Sequence, residues 1–379
     1  MSENPVGPRE GSADERATSL KNHPRRYPQD TASSMNNLAL LCPFLLVAFQ
    51  APGMAQGPPT AGGTLGNAGG GTQPISSNSQ SKPRSFKLLR GLPSLSNFTV
   101  WGMNDRREIV GQGRLTTGIR PWVGLYWSSP DAIPQTITIP GGLCVSATGI
   151  DNAGNIVGSY SLSLCSTSNL YCTAGVSGFK LSPGGTLTYP IQVTFPGALS
   201  TQINDINSAG EMVGSYWESI AGICTQKAFF RNSSGVDFNI SPPGSTSSRA
   251  SKITDAGRIC GEMNGTAPVC STGWILEAGG YTNVTYPGAV WTSVSGISDS
   301  RNETAGIFGT TCPFPNPPGA FLRRGDNGPF VTLTPFGPSP NNPMLVTGMN
   351  ELGDIVGVSF GSLMSGAFVG LRVGELVTR

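Results

Sequence analysis

The sequence predicts an all-β fold, a β-propeller of six four-stranded blades whose N-terminal strand closes the ring, and three observations carry that expectation. The 379 residues include 52 Gly and 31 Pro, and only 12% are charged, a turn-rich composition that does not suit a helical protein. One phrase recurs six times: GMNDRREIVG at 102, GIDNAGNIVG at 149, DINSAGEMVG at 205, KITDAGRICG at 252, GISDSRNETAG at 296 and GMNELGDIVG at 348. Its intervals of 47, 56, 47, 44 and 52 residues suit propeller blades and exceed the period of most short-repeat solenoids. A β-solenoid is the alternative fold.

Each part of the repeat has a physical reading. An apolar residue is followed by Asn104, Asp151, Asn207, Thr254, Ser298 or Asn350, short polar side chains that bond the backbone two residues on and start a turn. Three residues later, four copies carry Gly154, Gly210, Gly257 and Gly353, where a hairpin built on a type I turn needs a positive φ. The segments that follow, such as EIVGQG, NIVGSY and DIVGVSF, are β-branched strands with a glycine for close backbone approach. A second phrase supplies an aromatic third strand and a Gly-rich turn: SGFKLSPGG at 177, KAFFRNSSG at 227, TGWILEAGG at 272, GAFLRRGDNG at 319 and GAFVGLRVG at 366. PWVGLYWSSPDAIPQTITIPGG at 121 is the first unit's version, with a longer turn. The sixth unit stops after its third strand, whereas SFKLLRGLPSLSNFTVWGMN at 85 begins with a fourth. Pairing those ends leaves no open sheet edge between blades.

Ahead of the repeats the chain divides by composition. Residues 1–34 are polar and mixed in charge and read as a disordered leader. Residues 35–55 read as a signal peptide or signal anchor. Their apolar run LALLCPFLLVAF at 38–49 is shorter than the about 20 residues of a bilayer span and within the roughly 7 to 15 of a signal core. Gly53 and Ala55 supply the small residues of a cleavage site, although the nearest basic residues, Lys21, Arg25 and Arg26, lie well upstream. A short buried helix is the competing reading, and Cys42, preceded by Leu41, does not suit lipidation. Residues 56–85 are a Gly/Pro/Ser-rich linker, and 86–379 hold the repeats. The expected product is extracellular or on the cell surface, with no membrane span in the mature chain.

The pattern GINxxGxIVGxY followed by AFLxxxG resembles the HAF family of extracellular repeats, known mainly from bacterial sequences. KAFFR, GAFLR and GAFVG match its Ala-Phe element, and the likeness covers about 86–379. The family's His at that element is replaced here by Lys227, Gly319 and Gly366. The resemblance implies an exported repeat protein of unassigned activity and brings no catalytic residues with it.

Composition also limits the chemistry. The formal charge is +2 and no basic cluster occurs, so a nucleic-acid partner is not expected. The only histidine, His23, precedes the signal segment, which excludes His-based triads, dyads, zinc sites and general bases from the exported chain. No cofactor and no metal is expected. Asp105, Asp151, Asp205, Asp255, Asp299 and Glu351 lie in or beside the turns and read as turn chemistry. Glu218 and Glu262, in adjacent units, are the candidate pair for glycoside hydrolysis, with solvated surface glutamates as the plainer reading.

Because successive strands run antiparallel, the tight hairpins share one face and the connections after second and fourth strands share the other. The latter include SYSLSLCSTSNLYCTAGV at 159, YWESIAGICTQ at 216 and FGTTCPFPNPP at 308, expected as longer, irregular loops. Variable loops on a rigid frame are where binding collects. Tyr160, Tyr171, Tyr216 and Trp217 are the candidates to stack on a ligand, a glycan or an extracellular protein, with packing between blades as their alternative role. The seven cysteines beyond the signal all fall beside such loops, with Cys165–Cys172 and Cys260–Cys270 the candidate local disulfides and Cys144, Cys224 and Cys312 unassigned. Two functions follow: a binding scaffold, or a carbohydrate-active propeller enzyme using paired carboxylates.

Overall fold

The computed structural model describes residues 84–117, 122–163, 175–183, 191–278, 280–312, 318–335, 343–360 and 365–373, all within the compact unit Leu38–Arg379. The segments read as leader, signal and nearly all of the linker lie outside the described residues. The described residues form 24 strands and no helix. No helix among them is long and apolar enough to cross a membrane.

The first strand, β1 (Arg84–Leu88), begins inside the segment read as linker. The first unit is β2 (Leu95–Met103), β3 (Ile109–Leu115), β4 (Trp122–Trp127) and β5 (Gln135–Ile137). The second is β6 (Cys144–Ile150), β7 (Ile156–Ser161), β8 (Val176–Leu181) and β9 (Ile191–Val193). The third is β10 (Ser200–Ile206), β11 (Met212–Ile220), β12 (Ile223–Arg231) and β13 (Asp237–Asn239). The fourth is β14 (Ser248–Ile253), β15 (Ile259–Asn264), β16 (Ser271–Glu277) and β17 (Gly280–Val284). The fifth is β18 (Trp291–Ser298), β19 (Glu303–Gly309), β20 (Gly319–Arg324) and β21 (Phe330–Leu333), and the sixth is β22 (Met344–Met349), β23 (Ile355–Phe360) and β24 (Ser365–Arg372).

Each unit is an antiparallel meander, and β1 pairs with β24 as the fourth strand of the sixth, Arg84 opposite Arg372 and Leu88 opposite Phe368. Single parallel bridges, Trp122 to Cys144 and Ser271 to Trp291, join units one to two and four to five. No sheet among the described strands is closed by hydrogen bonds. Instead the first strands pack in sequence, β2 on β6, β6 on β10, β10 on β14, β14 on β18, β18 on β22 and β22 on β2. The arrangement is all-β and propeller-like.

The repeated phrase explains this architecture locally. Gly154, Gly210, Gly257 and Gly353 take φ of 89°, 80°, 84° and 76°. Their amides donate to the carbonyls of Asp151, Asn207, Thr254 and Asn350, closing the turns. Copies one and five lack that glycine, and Arg107 (φ 62°) and Asn302 (φ 47°) take the left-handed position instead. The glycine of the second strand is required for a different reason. A Cβ at Gly158, Gly214, Gly261, Gly306 or Gly357 would lie 2.0–2.1 Å from a first-strand carbonyl oxygen and press on the third-strand ring of Phe179, Phe229, Trp274, Phe321 or Phe368. Those five rings are fully buried, so units two to six each fill their core with an aromatic side chain seated over a glycine, while unit one places the buried Leu125 opposite Gly111.

A buried ionic cluster fastens β1 and β24 to β19 of the fifth unit. Arg84 donates from Nη2 to Glu303 Oε2 at 2.9 Å and from Nε and Nη2 to the Gly353 carbonyl at 2.9 and 2.7 Å. Arg372 bonds the other oxygen of Glu303, while its amide donates to Asp354 Oδ1 at 2.6 Å. Arg107 reaches Asp354 Oδ2 at 2.8 Å. Burial lowers the Arg84 guanidinium below its ordinary value, against the opposing pull of Glu303.

One expected loop is a regular element. YWESIAGICTQ, expected as an irregular connection, is a continuous ladder from Met212↔Arg231 to Ile220↔Ile223. A two-residue turn at Ala221 (φ 51°) and Gly222 (φ 80°) closes it, because positive φ at both positions matches the twist of the flanking strands.

Candidate functional site

All six first strands line one shared opening, and the same repeat positions build it six times. Each carries a register shift three residues before its turn residue, between Val100/Gly102, Ala147/Gly149, Ile203/Asp205, Ala250/Lys252, Val294/Gly296 and Val346/Gly348. The extra residue is Trp101, Thr148, Asn204, Ser251, Ser295 or Thr347, and a bulge of this kind re-aims its side chain. Four of them bond the next unit: Thr148 Oγ1 donates to Ile203 O at 2.6 Å, Asn204 Nδ2 to Ala250 O at 2.6 Å, Thr347 Oγ1 to Val100 O at 2.7 Å, and Ser295 Oγ to Val346 O.

The turn residues form a second belt. Asn104 shows why asparagine suits the position, because its side chain bonds its own turn and the next unit at once. Its Oδ1 accepts the Glu108 amide of its own turn at 3.0 Å, and its Nδ2 donates to Asp151 O of the next at 2.9 Å. Asn207 repeats this with Glu211 N and Thr254 O, and Asn350 with Asp354 N and Asn104 O. Asp105 and Asn152 exchange two bonds, Ser208 donates twice to Asp255, and Glu351 accepts from Ser298 and Ser300. Burial pushes the Glu351 carboxyl above the usual range, partly offset by its bond from the Ser300 amide.

Between the two belts lies a column of close approach. At Gly102, Gly149, Gly296 and Gly348 an added Cβ would come within 2.7–2.8 Å of the adjoining unit. The equivalent residues of units three and four are Asp205 and Lys252. Lys252 Nζ lies 3.4 Å from Asp205 Oδ1 and 3.3 Å from Thr148 O, so its side chain spans from unit four to unit two. Burial pushes the Asp205 carboxyl above the ordinary carboxylate range, opposed by Lys252 and by the Ile253 amide, which donates at 3.1 Å.

This pair divides the opening into chambers of opposite character. The turn-side chamber, about 450 Å³ including its open part, is lined by Asp105, Asp151, Asp205, Asp255 and Glu351 with Lys252 as its cation. The loop-side chamber, about 580 Å³ on the same basis, contains no carboxylate in its lining and two cations, Arg249 and Lys252. Trp101, Asn204, Ser251 and Thr347 share that lining. Glu262 is buried at 1% exposure, and Arg249 Nε stands 3.2 Å from its Oε1. It is therefore not a solvated surface glutamate, because β15 carries it inward to the Arg249 side chain. Glu218 lines neither chamber.

The aromatic candidates serve packing where they are described. Tyr216 is 5% exposed and stacks on Phe195 with centroids 3.8 Å apart, and Trp217 is 7% exposed. Tyr160 packs, partly buried, against the cluster of Val145, Ile139 and Phe179. Tyr171 lies outside the described residues, as do Cys165 and Cys172. The Cys260–Cys270 pairing is corrected: Cys270 bonds Cys312, 42 residues on, and Cys260 is a buried free thiol. The register explains it. Cys260 faces Ile275 mid-strand while Cys270 lies beyond the Asn264↔Ser271 pair, which at about 3.3 Å per residue leaves well over the 7 Å Cα limit of a disulfide. Cys260 packs in the core with Ile275, Val294 and Phe321 rather than beside a loop. Cys144 and Cys224 are each in a disulfide. Among the described residues no group of three His, Cys, Asp or Glu is placed to hold a metal ion.

No family model matches the chain, and no curated protein matches it. Solved structures resemble it at low identity. A putative TolB from Agrobacterium tumefaciens aligns at 13% identity and TM-score 0.47, over 64% of this chain and 81% of that one. TolB from Acinetobacter baumannii aligns at 12% and 0.44, over 73% and 64%. Trypanosoma rangeli sialidase in complex with sialic acid aligns at 9% and 0.46, over 78% and 59%. The chain thus spans less than two thirds of the latter two. Likeness at this level brings neither activity nor ligand, and the strand pairing above stands without it.

The chamber residues escape a reading of the repeat as a turn alone. One signal for them is present in the sequence: where four copies have Gly before the turn, two adjacent copies have Asp205 and Lys252, residues of opposite charge.

Proposed function

We propose that the chain is an exported binding scaffold, a closed six-bladed β-propeller in which β1 completes the sixth blade, and that it takes an extracellular glycan or protein on its loop-rich side. The observation that carries this reading is the opening shared by all six first strands, braced by two belts of bonds between units. Such bracing holds side chains in fixed positions and suits recognition. Export is supported by the Cys270–Cys312 disulfide and the disulfide-bonded Cys144 and Cys224, which belong to an oxidising compartment, together with the signal-like run at 38–49. The HAF likeness of the repeat agrees with that location. Binding rather than turnover is favoured by the lack of any histidine after His23 and by the burial of Glu262 beside Arg249.

A glycan and polysaccharide array on the purified chain, with product analysis of every hit, tests the proposal. Retained, chemically unchanged ligand is the expected result. Hydrolysed product that disappears in Glu218→Gln or Glu262→Gln would replace the scaffold by a carbohydrate-active enzyme.

A further inference from the structure

The two chambers differ in what they leave unsatisfied. On the turn side, carboxylates and amides are spent on one another in the belt. On the loop side, the hydroxyls of Thr148, Ser295 and Thr347 and the amide of Asn204 donate to backbone carbonyls. These four uncharged residues line the chamber. The cations are used less fully. Lys252 Nζ has two partners, at 3.3 and 3.4 Å, both longer than an ordinary charge-assisted bond. Arg249, with five N–H donors, has the 3.2 Å ion contact to Glu262 and a 3.5 Å contact from Nη2 to Ser293 Oγ. Ser251 lines the same chamber, and its hydroxyl has no partner among the described residues. Glu262 approaches Arg249 as an ion contact without being part of the chamber lining.

We propose that the loop-side chamber is a binding site for the carboxylate of a small acidic ligand, held by Arg249, Lys252 and Ser251. The inference rests on the binding-scaffold reading and narrows its ligand to a carboxylate-bearing one. A carboxylate placed there gains charge-assisted bonds from an ammonium and a guanidinium that have donors to spare, in a chamber whose lining includes no acid, Glu262 and Asp205 reaching the two cations from outside it. The Asp205 carboxylate neutralises Lys252 from the turn side, which keeps the ammonium in place when no ligand is bound. Trp101 offers an apolar wall for the remainder of a ligand.

The test is calorimetric titration of the full chain with sodium glucuronate, sodium citrate and neutral glucose at matched ionic strength. Binding of glucuronate with at least about tenfold preference over glucose, lost by about tenfold in Arg249→Gln and weakened several-fold in Ser251→Ala, is the expected result. Ser251→Ala removes one hydroxyl without leaving a buried charge, so it remains informative if Arg249→Gln fails to fold. Citrate distinguishes the source of the carboxylate: equal binding means that the chamber reads the acid group, and binding of glucuronate alone means that it reads an acidic sugar. Either result supports the site. No heat from either acid on folded protein overturns it. Equal binding of glucose and glucuronate overturns carboxylate recognition while leaving the scaffold reading intact, and acid binding that both variants leave unchanged moves the ligand elsewhere. Acid binding with a blank glycan array would uphold the chamber and remove the glycan reading.

Discussion

Replacing Glu303 by glutamine tests whether β1 and β24 are held to the fifth unit by charge. The carboxylate is 2% exposed and stands between Arg84 and Arg372, each 7% exposed. Glutamine keeps the shape and removes the charge, leaving two guanidinium groups buried beside a neutral amide. Breaking a buried pair from one side typically costs about 3–5 kcal/mol. Arg84 keeps two bonds to the Gly353 carbonyl and Arg372 keeps its amide bond to Asp354, which places the loss toward the lower end, about 3 kcal/mol. At roughly 2 °C per kcal/mol for a chain of this size, Tm should fall by about 6 °C. Urea unfolding of Glu303→Gln, Arg84→Met and the double variant separates this from a general loss of packing. Because the two residues share a contact, the double variant should be less destabilised than the sum of the singles by about 1 kcal/mol or more. A fall in Tm below about 2 °C, or additivity within about 0.5 kcal/mol, would refute an ionic clasp on β1 and β24.

Other consequences can be measured separately. Lys252→Met strands the buried Asp205 carboxyl and should cost about 3 kcal/mol in chemical denaturation, whereas Asp205→Gly with Lys252→Gly, which restores the residue of the other four copies, should cost at least about 1 kcal/mol less. Burial pushes the Cys260 thiol up to about 12, so iodoacetamide should label it only after unfolding. In the unfolded chain the same thiol ionises near pH 8.5, hence above that pH the unfolded state sheds a proton that the native state keeps, and stability should fall by up to about 1.4 kcal/mol per pH unit until about pH 12. Cys260→Ala should remove that share of the slope, measured between about pH 8.5 and 10 so that tyrosines contribute little. Gly257→Ala, where nothing lies within 4 Å of the new Cβ, should cost only the left-handed penalty of about 1–2 kcal/mol. Gly353→Ala should cost visibly more in the same thermal assay, since its Cβ would meet Arg372 Nε at 2.7 Å and Glu303 Oε2 at 3.2 Å.

The all-β class and the hairpin at each repeated phrase were legible because they depend on near neighbours. A polar residue three before a glycine closes a type I turn whatever the rest of the chain does, and a β-branched run bounded by turns makes a strand. The partner of the first strand was legible too, since a unit short of a fourth strand and an unattached strand upstream are complementary. Where Gly is absent from the turn, at Arg107 and Asn302, the phrase still closes, because the surrounding ladder imposes the positive φ that the side chain resists.

Tertiary structure decided the rest. Sequence proximity suggested Cys260 with Cys270, but the strand register separates them and brings Cys312 to Cys270 from the next unit. Tyr216 and Trp217, candidates to stack on a ligand with packing as their alternative role, are buried because β11 and β12 continue in register to a two-residue turn. Glu262 was indistinguishable from a surface glutamate until Arg249 was set beside it. The belts, the Asp205–Lys252 pair and the chamber above it each join atoms about 45 to 100 residues apart, or close the sixth unit on the first. What one unit needs for its own turns and core is written in its own residues. What forms where six units meet depends on which first strands face one another, and distance along the chain does not encode that.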